Sequence, residues 1–336
     1  MTTIKVPQNL SFKNAINFCN RLWNLDDDNN YEFNFANLKL VEPFTIAYVA
    51  NEIQRFSLEK PQSNCTAINF EEDSFAADMG FYKAFGVEHS TEAGPAKAGV
   101  FIPLTTLFVA DIHKEAELQD LTIGHILEDK AKQIAQTLTR NQDGDWVDTL
   151  TYSIREMMRN TVEHSESETI EYCAQYWPSK RLVEIALFDK GTGIKKSLSQ
   201  NPCLEIDSDE DALQRALQPG ISSKMYKGIT PKNDAWQHSG YGLYMGNRIC
   251  RNGGNFLIMS DNNAVFQDNE IKDTMQCHYN GTAIRLRIDT STITKYSNML
   301  SMYGREGNAL AKEHAGDDVI NPSIAATRLT KDFPQI

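Results

Sequence analysis

"SIREMMRNTVEHSE" (residues 153–166) sets Glu156, Asn160 and His164 four residues apart. That spacing stacks three side chains along one face of a helix. Met157 and Met158 stand beside them, so the polar row runs along the border of an apolar face. An amphipathic helix ordinarily turns its polar groups away from the core. The row is therefore either plain surface or the lining of a site. Asp145, after the turn "NQDGD" (141–145), is the expected N-cap of this helix, which the periodicity places at 146–164.

Three glycine-bearing segments follow. "EIALFDKGTGI" (184–194) is an apolar strand ending in Asp189, then Gly191 and Gly193. "HSGYGLYMGNRICRNGG" (238–254) runs from Gly240 and Gly242 into a helix, with Leu243 next. "NGTAIRLRI" (280–288) opens a strand with Gly281 and Thr282. Alone, each has a plain explanation: glycine supplies the positive φ of a turn, and a single G-x-G is weak evidence for phosphate. Their order changes the weighing. A buried carboxylate at a strand end can accept a hydrogen bond from the exocyclic amine of adenine, and glycines beside it let the base approach the backbone. A glycine pair at a helix start offers free N–H groups and the positive end of the helix dipole to phosphate. Asn160 can give a neutral oxygen to Mg²⁺. Glu156, one turn earlier, can polarise a water or hydroxyl for attack on a γ-phosphate. On that reading the polar row lines a nucleotide pocket.

The rest of the chain bounds the problem. Its 336 residues, 41% hydrophobic and 10% aromatic, suffice for two domains with proper cores. A formal charge of −12 argues against sequence-independent nucleic-acid binding and against an anionic membrane surface. The six cysteines are scattered without C-x-x-C spacing, as reduced thiols of a cytoplasmic protein would be. No signal peptide is apparent, and "AGVFIPLTTLFVADI" (98–112) is too short to span a membrane.

Residues 11–25 read as a helix, and 31–56 as a strand turning helical after Pro43. Residues 65–70 read as a strand, 74–87 as a helix, 89–99 as a loop and 100–109 as a strand. A polar helix over 114–141 reads as a connector, which puts a domain boundary near residue 140. Strands are expected at 168–176, 181–189, 255–260, 263–266 and 282–289, with a helix at 242–252. Residues 190–239 read as irregular, and the tail from 291 as weakly held.

E-x-x-x-N-x-x-x-H, D-x-G-x-G, G-x-G-L and a late Gly-Thr, in that order over residues 145–290, resemble the GHKL superfamily of histidine kinase-like ATPases. The helix motif is most similar to that of the anti-sigma-factor kinases, since Glu163 stands where histidine kinases carry lysine. The resemblance implies an α/β chain. Residues 141–290 would be a Bergerat-fold sandwich, a mixed sheet with helices on one face. It also implies ATP and Mg²⁺ as ligands, Glu156 as general base, Asn160 as magnesium ligand and Asp189 as adenine reader. Gly191 and Gly193 would shape the adenine pocket, Gly240 and Gly242 the phosphate turn of a lid, and Thr282 would support the base. Lys224, in "GISSK" (220–224), would replace the missing helix lysine. Residues 1–140 would form an accessory α/β domain, with "FNFANLKLVEPFTIAYVANEI" (33–53) similar to STAS modules and Thr45 nearest their phosphorylated hydroxyl. Residues 291–336 would be a tail. The expected function is ATP hydrolysis that closes a lid and alters contacts with an unidentified protein partner, with ATP-dependent homodimerisation. A serine/threonine protein kinase and a nonenzymatic ATP-gated module stay open as alternatives. The absence of G-x-x-x-x-G-K-[ST] excludes a P-loop.

Overall fold

The computed structural model describes residues 1–70, 74–84, 100–226, 228–229, 234–315 and 319–334. The first part comprises β1 (Thr2–Lys5), β2 (Asn9–Leu10), α1 (Phe12–Leu22), β3 (Asn30–Asn34), β4 (Leu40–Val41), α2 (Pro43–Glu59) and β5 (Asn64–Ile68). Strands β1, β3 and β5 pair in parallel in that order, and β2 pairs with β4. Helix α2 starts where Pro43 presets φ and where Glu42 and Thr45 form a reciprocal capping box. Thr45 is fully buried in that cap, so its hydroxyl is closed to a modifying enzyme. The helix expected at 74–87 is two short ones, α3 (Phe75–Asp78) and α4 (Phe81–Ala84), parted by Gly80 at φ +82°. The loop expected at 89–99 lies outside the described residues.

Then come β6 (Val100–Phe108), α5 (Val109–Gln119), α6 (Ile123–Thr139) and α7 (Asp145–Asn160), which runs on as a π-helical turn, Thr161–Ser165. Strands β7 (Thr169–Trp177) and β8 (Leu182–Asp189) precede α8 (Gly193–Leu198), α9 (Asp209–Ala216) and α10 (Gly242–Arg251). Strands β9 (Asn255–Gln267) and β10 (Lys272–Asp289) and helix α11 (Tyr296–Ala315) complete the order. The fold is α/β. Its larger sheet runs β6-β7-β8-β10-β9 with every neighbouring pair antiparallel. The expected mixed sheet in this part is therefore corrected: parallel pairing occurs in β1-β3-β5 and β2-β4.

Both faces of the larger sheet are covered, where helices on one face were expected. Val183, Ile185 and Leu187 of β8 join the core under α6, α7 and α10. The alternate residues Ala186 and Phe188 pack with Phe44 and Tyr48 of α2, and Phe44 stacks on Phe188 at 5.2 Å. A strand buried on both sides must read as a continuous apolar run, and "EIALF" does. The exception is Glu184, fully buried, whose carboxylate accepts the Phe44 N–H at 3.0 Å and pairs with Arg287.

Other boundaries shift for local reasons. The expected 114–141 helix breaks at Asp120, a left-handed residue at φ +53° that caps α5. Strand β6 pairs with β7, so the larger sheet begins at residue 100 rather than beyond 140. The irregular stretch holds α8 and α9, and residues 255–267 form one strand paired with a β10 that starts at 272. Gly144 is the N-cap of α7, while the Asp145 carboxylate accepts the Tyr296 N–H at 3.0 Å. The tail is not weakly held: Leu300, Tyr303, Ala325, Ala326 and Leu329 are buried. Among the described residues, no helix is long and apolar enough to cross a membrane.

Candidate functional site

Helix α7 is buried from Val147 to Arg159, held between the sheet, α6 and α10. Two of its inner hydroxyls are satisfied locally: Ser153 Oγ donates to the Thr149 carbonyl and Thr149 Oγ1 to that of Asp145. The row Glu156, Asn160 and His164 instead faces a cleft, whose lining also includes Asp189, Gly193, Gly240, Gly242, Leu243 and Thr282. Residues more than 120 positions apart in the chain are thus brought to one place.

Asp189 ends β8 opposite Thr282 of β10. Its Oδ1 accepts the N–H of Gly191 at 3.0 Å and of Thr282 at 3.3 Å, and its Oδ2 accepts the Thr161 hydroxyl at 3.3 Å. Burial pushes the carboxyl up to about 6, against the pull of these three donors. Gly191 sits under the π-helical turn rather than in the lining. A Cβ there would stand 2.0 Å from the Ser165 carbonyl oxygen, so close backbone packing, not dihedral freedom, requires glycine. Gly193 has φ +75° and needs glycine for its conformation as well.

Glu156 lies in a buried ionic chain. Its Oε1 accepts from Arg155 at 2.8 Å and from Arg159 at 3.4 Å. Its Oε2 is turned to Gly242, where a Cβ would come within 2.7 Å of it. Arg155, fully buried, also donates to Glu128 at 2.6 Å and to the carbonyls of Ala325 and Arg328. Asn160 offers an amide whose buried Nδ2 has no partner. An unsatisfied buried polar atom at a cleft wall calls for a partner such as water or a ligand, and turning the amide over presents its oxygen instead.

Described residues of the stretch between Gly220 and Tyr241, among them Ile221, Ser222, Ser223 and Gln237 to Tyr241, form the other wall of the cleft. The Gly220 N–H donates to the Gly240 carbonyl at 3.1 Å and closes the neck of this segment. Trp236 is its anchor: it lies over Gly124 of α6, where a Cβ would fall 2.3 Å from the ring. The guanidinium groups of Arg155 and Arg159 each stand 5.3 Å from its centroid. The chain end fastens the same segment, with Ala325 N–H on the Ala235 carbonyl at 3.0 Å and Tyr241 Oη on that of Ile320 at 3.0 Å. The cleft is half open to solvent, with the motif residues on one wall and Ile221, Ser222, Gln237 and His238 of the covering residues on the other.

Lys224 does not line the cleft; its ammonium is bound to the Glu163 carbonyl oxygen. Sequence reasoning missed Arg155, Arg159, Thr161 and His238. The arginines flank the motif in "REMMRN" and His238 stands two residues before Gly240, but neither spacing announces a role. His164 contacts Ser223 Oγ through Nδ1 at 3.0 Å, and His238 Nδ1 lies 3.2 Å from Glu163 Oε2. Burial lowers His164 to about 3 and His238 to about 4, so both rings are neutral at pH 7. Compared with protein-family models, curated proteins and solved structures, the chain matches none.

Proposed function

We propose that the chain binds ATP with Mg²⁺ in this cleft and hydrolyses it, moving the covering residues around Trp236 and thereby changing its contacts with a protein partner. The observation that carries the reading is the Asp189 carboxylate. It is buried at a strand end beside Gly191 and Thr282, in the same cleft as Asn160 and Glu156. A buried acceptor of this kind suits the exocyclic amine of adenine. The order of motifs, resembling the GHKL superfamily, supports the same assignment.

With its side-chain amide turned over, Asn160 would give one neutral oxygen to a magnesium ion, which takes few protein ligands and keeps waters and phosphate oxygens for the rest. Magnesium, when bound, would neutralise phosphate charge. Gly240 and Gly242 would offer backbone N–H groups at the start of α10. Glu156 would accept the proton of the attacking water through Oε2, with Oε1 fixed by its two arginines.

Those same arginines support a second reading, because they tie Glu156 Oε1 into a buried chain of ion pairs with Arg155, Arg159 and Glu128, the arrangement of a structural carboxylate. In that case ATP is a conformational ligand only.

Calorimetric titration with a non-hydrolysable ATP analogue and Mg²⁺, beside a phosphate-release assay, separates the two. Glu156→Gln is expected to keep analogue binding and lose turnover by about a hundredfold or more. Equal turnover in the variant removes Glu156 from the chemistry. Saturable binding without turnover in the parent chain favours the nonenzymatic reading.

A further inference from the structure

We propose that Glu163, His164 and His238 form a binding site for a transition-metal dication of the zinc class, joining the end of α7 to the covering segment. One carboxylate oxygen and one nitrogen of each ring all lie within 4.8 Å of one another. The two imidazoles come from chain positions 74 residues apart, with ring centroids at 5.0 Å and planes inclined by 66°. Ligand atoms around a tetrahedral zinc at about 2.0–2.1 Å stand roughly 3.3 Å from each other. Glu163 Oε2 and His238 Nδ1 are already 3.2 Å apart, and closing the set around an ion needs shifts of no more than about 1.5 Å.

The groups behind the ligands are also in place. Ser223 Oγ, 3.0 Å from His164 Nδ1, fixes that ring and leaves Nε2 as the donor. Arg159 Nε holds Glu163 Oε1 at 3.1 Å, leaving Oε2 as the metal-facing oxygen. Glu163 and His164 are sequence neighbours, which on an α-helix diverge widely. The π-helical turn Thr161–Ser165 is wider and brings neighbouring side chains closer in direction. All three residues and Ser223 line the cleft, so a fourth position is left to water or to a ligand oxygen.

Chemistry selects the metal. Two neutral imidazoles and one carboxylate suit zinc, cobalt or nickel; magnesium and calcium prefer oxygen alone. The charges of Arg159 and Lys224 nearby oppose any dication. They are offset by Glu156 and by the peptide oxygen that Lys224 occupies. The site is distinct from Asn160 and does not depend on nucleotide.

The test is titration of the full chain, stripped with chelator and free of nucleotide, with Co²⁺ followed by visible absorption. Zn²⁺ would be titrated in parallel by calorimetry. One equivalent of Co²⁺ is expected to produce the intense bands of a four-coordinate centre, displaced by Zn²⁺. His164→Ala and His238→Gln are each expected to weaken binding by on the order of 100-fold. Circular dichroism would verify that both variants are folded, and the milder Glu163→Gln serves if either is not. No saturable cobalt spectrum, or one unchanged in the folded variants, overturns the proposal.

Discussion

Asp189→Asn is expected to melt at a higher temperature than the parent chain while no longer binding nucleotide. In the folded protein, burial holds this carboxyl at about 6 against an ordinary 3.8. A native group that binds its proton more tightly than the unfolded chain does is destabilising once deprotonated. Stability therefore falls as pH rises from about 4 to about 6, and at pH 7 the loss is roughly 3 kcal/mol. Asparagine removes the buried charge, and its oxygen can still accept the N–H groups of Gly191 and Thr282, while the Thr161 hydroxyl can turn to accept from its amide. The variant should gain about 1–3 kcal/mol in denaturant unfolding at pH 7. The same amide would turn N–H donors toward the amine of adenine, which itself donates. Analogue affinity should drop by at least about a hundredfold, or about 2.7 kcal/mol. In the parent, affinity should weaken as pH drops below about 6. A variant that melts lower and still binds would show that Asp189 is a structural carboxylate.

Arg155→Met should be the most damaging single change of comparable volume. It strips the one cation from Glu128, which keeps only the Thr330 N–H and hydroxyl, and one of two from Glu156, both buried, and frees the carbonyls of Ala325 and Arg328. Breaking a buried ion pair from one side costs about 3–5 kcal/mol. Urea unfolding of Arg155→Met and of Arg155→Met/Glu128→Gln measures this. Part of the loss should return in the double variant, because one orphaned charge has gone. A loss below about 1 kcal/mol would mean that the network is solvated and weak.

The site was more legible than its surroundings. Glu156, Asn160, Asp189, Gly240, Gly242 and Thr282 all meet in the cleft, because helix spacing and strand-end turns are local properties written in local sequence. Lys224 failed the same reasoning, since a loop lysine's direction depends on what lies opposite; here it is the Glu163 carbonyl. The β6–β7 pairing was hidden for a related cause: nothing inside "VFIPLTTLF" tells which sheet it joins. Polar β10, from Lys272 to Asn280, lacks the alternation that marks a strand and is defined by its partner β9. Gly191 was read as a turn glycine or as one that lets adenine approach the backbone; it lies outside the cleft lining, and glycine is required there by the closeness of the Ser165 carbonyl.

The two faces of the larger sheet have a consequence for cooperativity. Phe188 packs on Phe44 while its neighbour Leu187 packs under the helices of the cleft. A fragment cut at residue 141 would lose β6, baring a row of unpaired backbone groups along β7 and an apolar face meant for α2. Front and back therefore share one unfolding equilibrium. Free energy gained by a ligand in the cleft is spread through β8 to the first helix and its sheet. Slower hydrogen exchange at the amide of Phe44, whose acceptor is Glu184 on the far side of the sheet, would report what happens at Asp189.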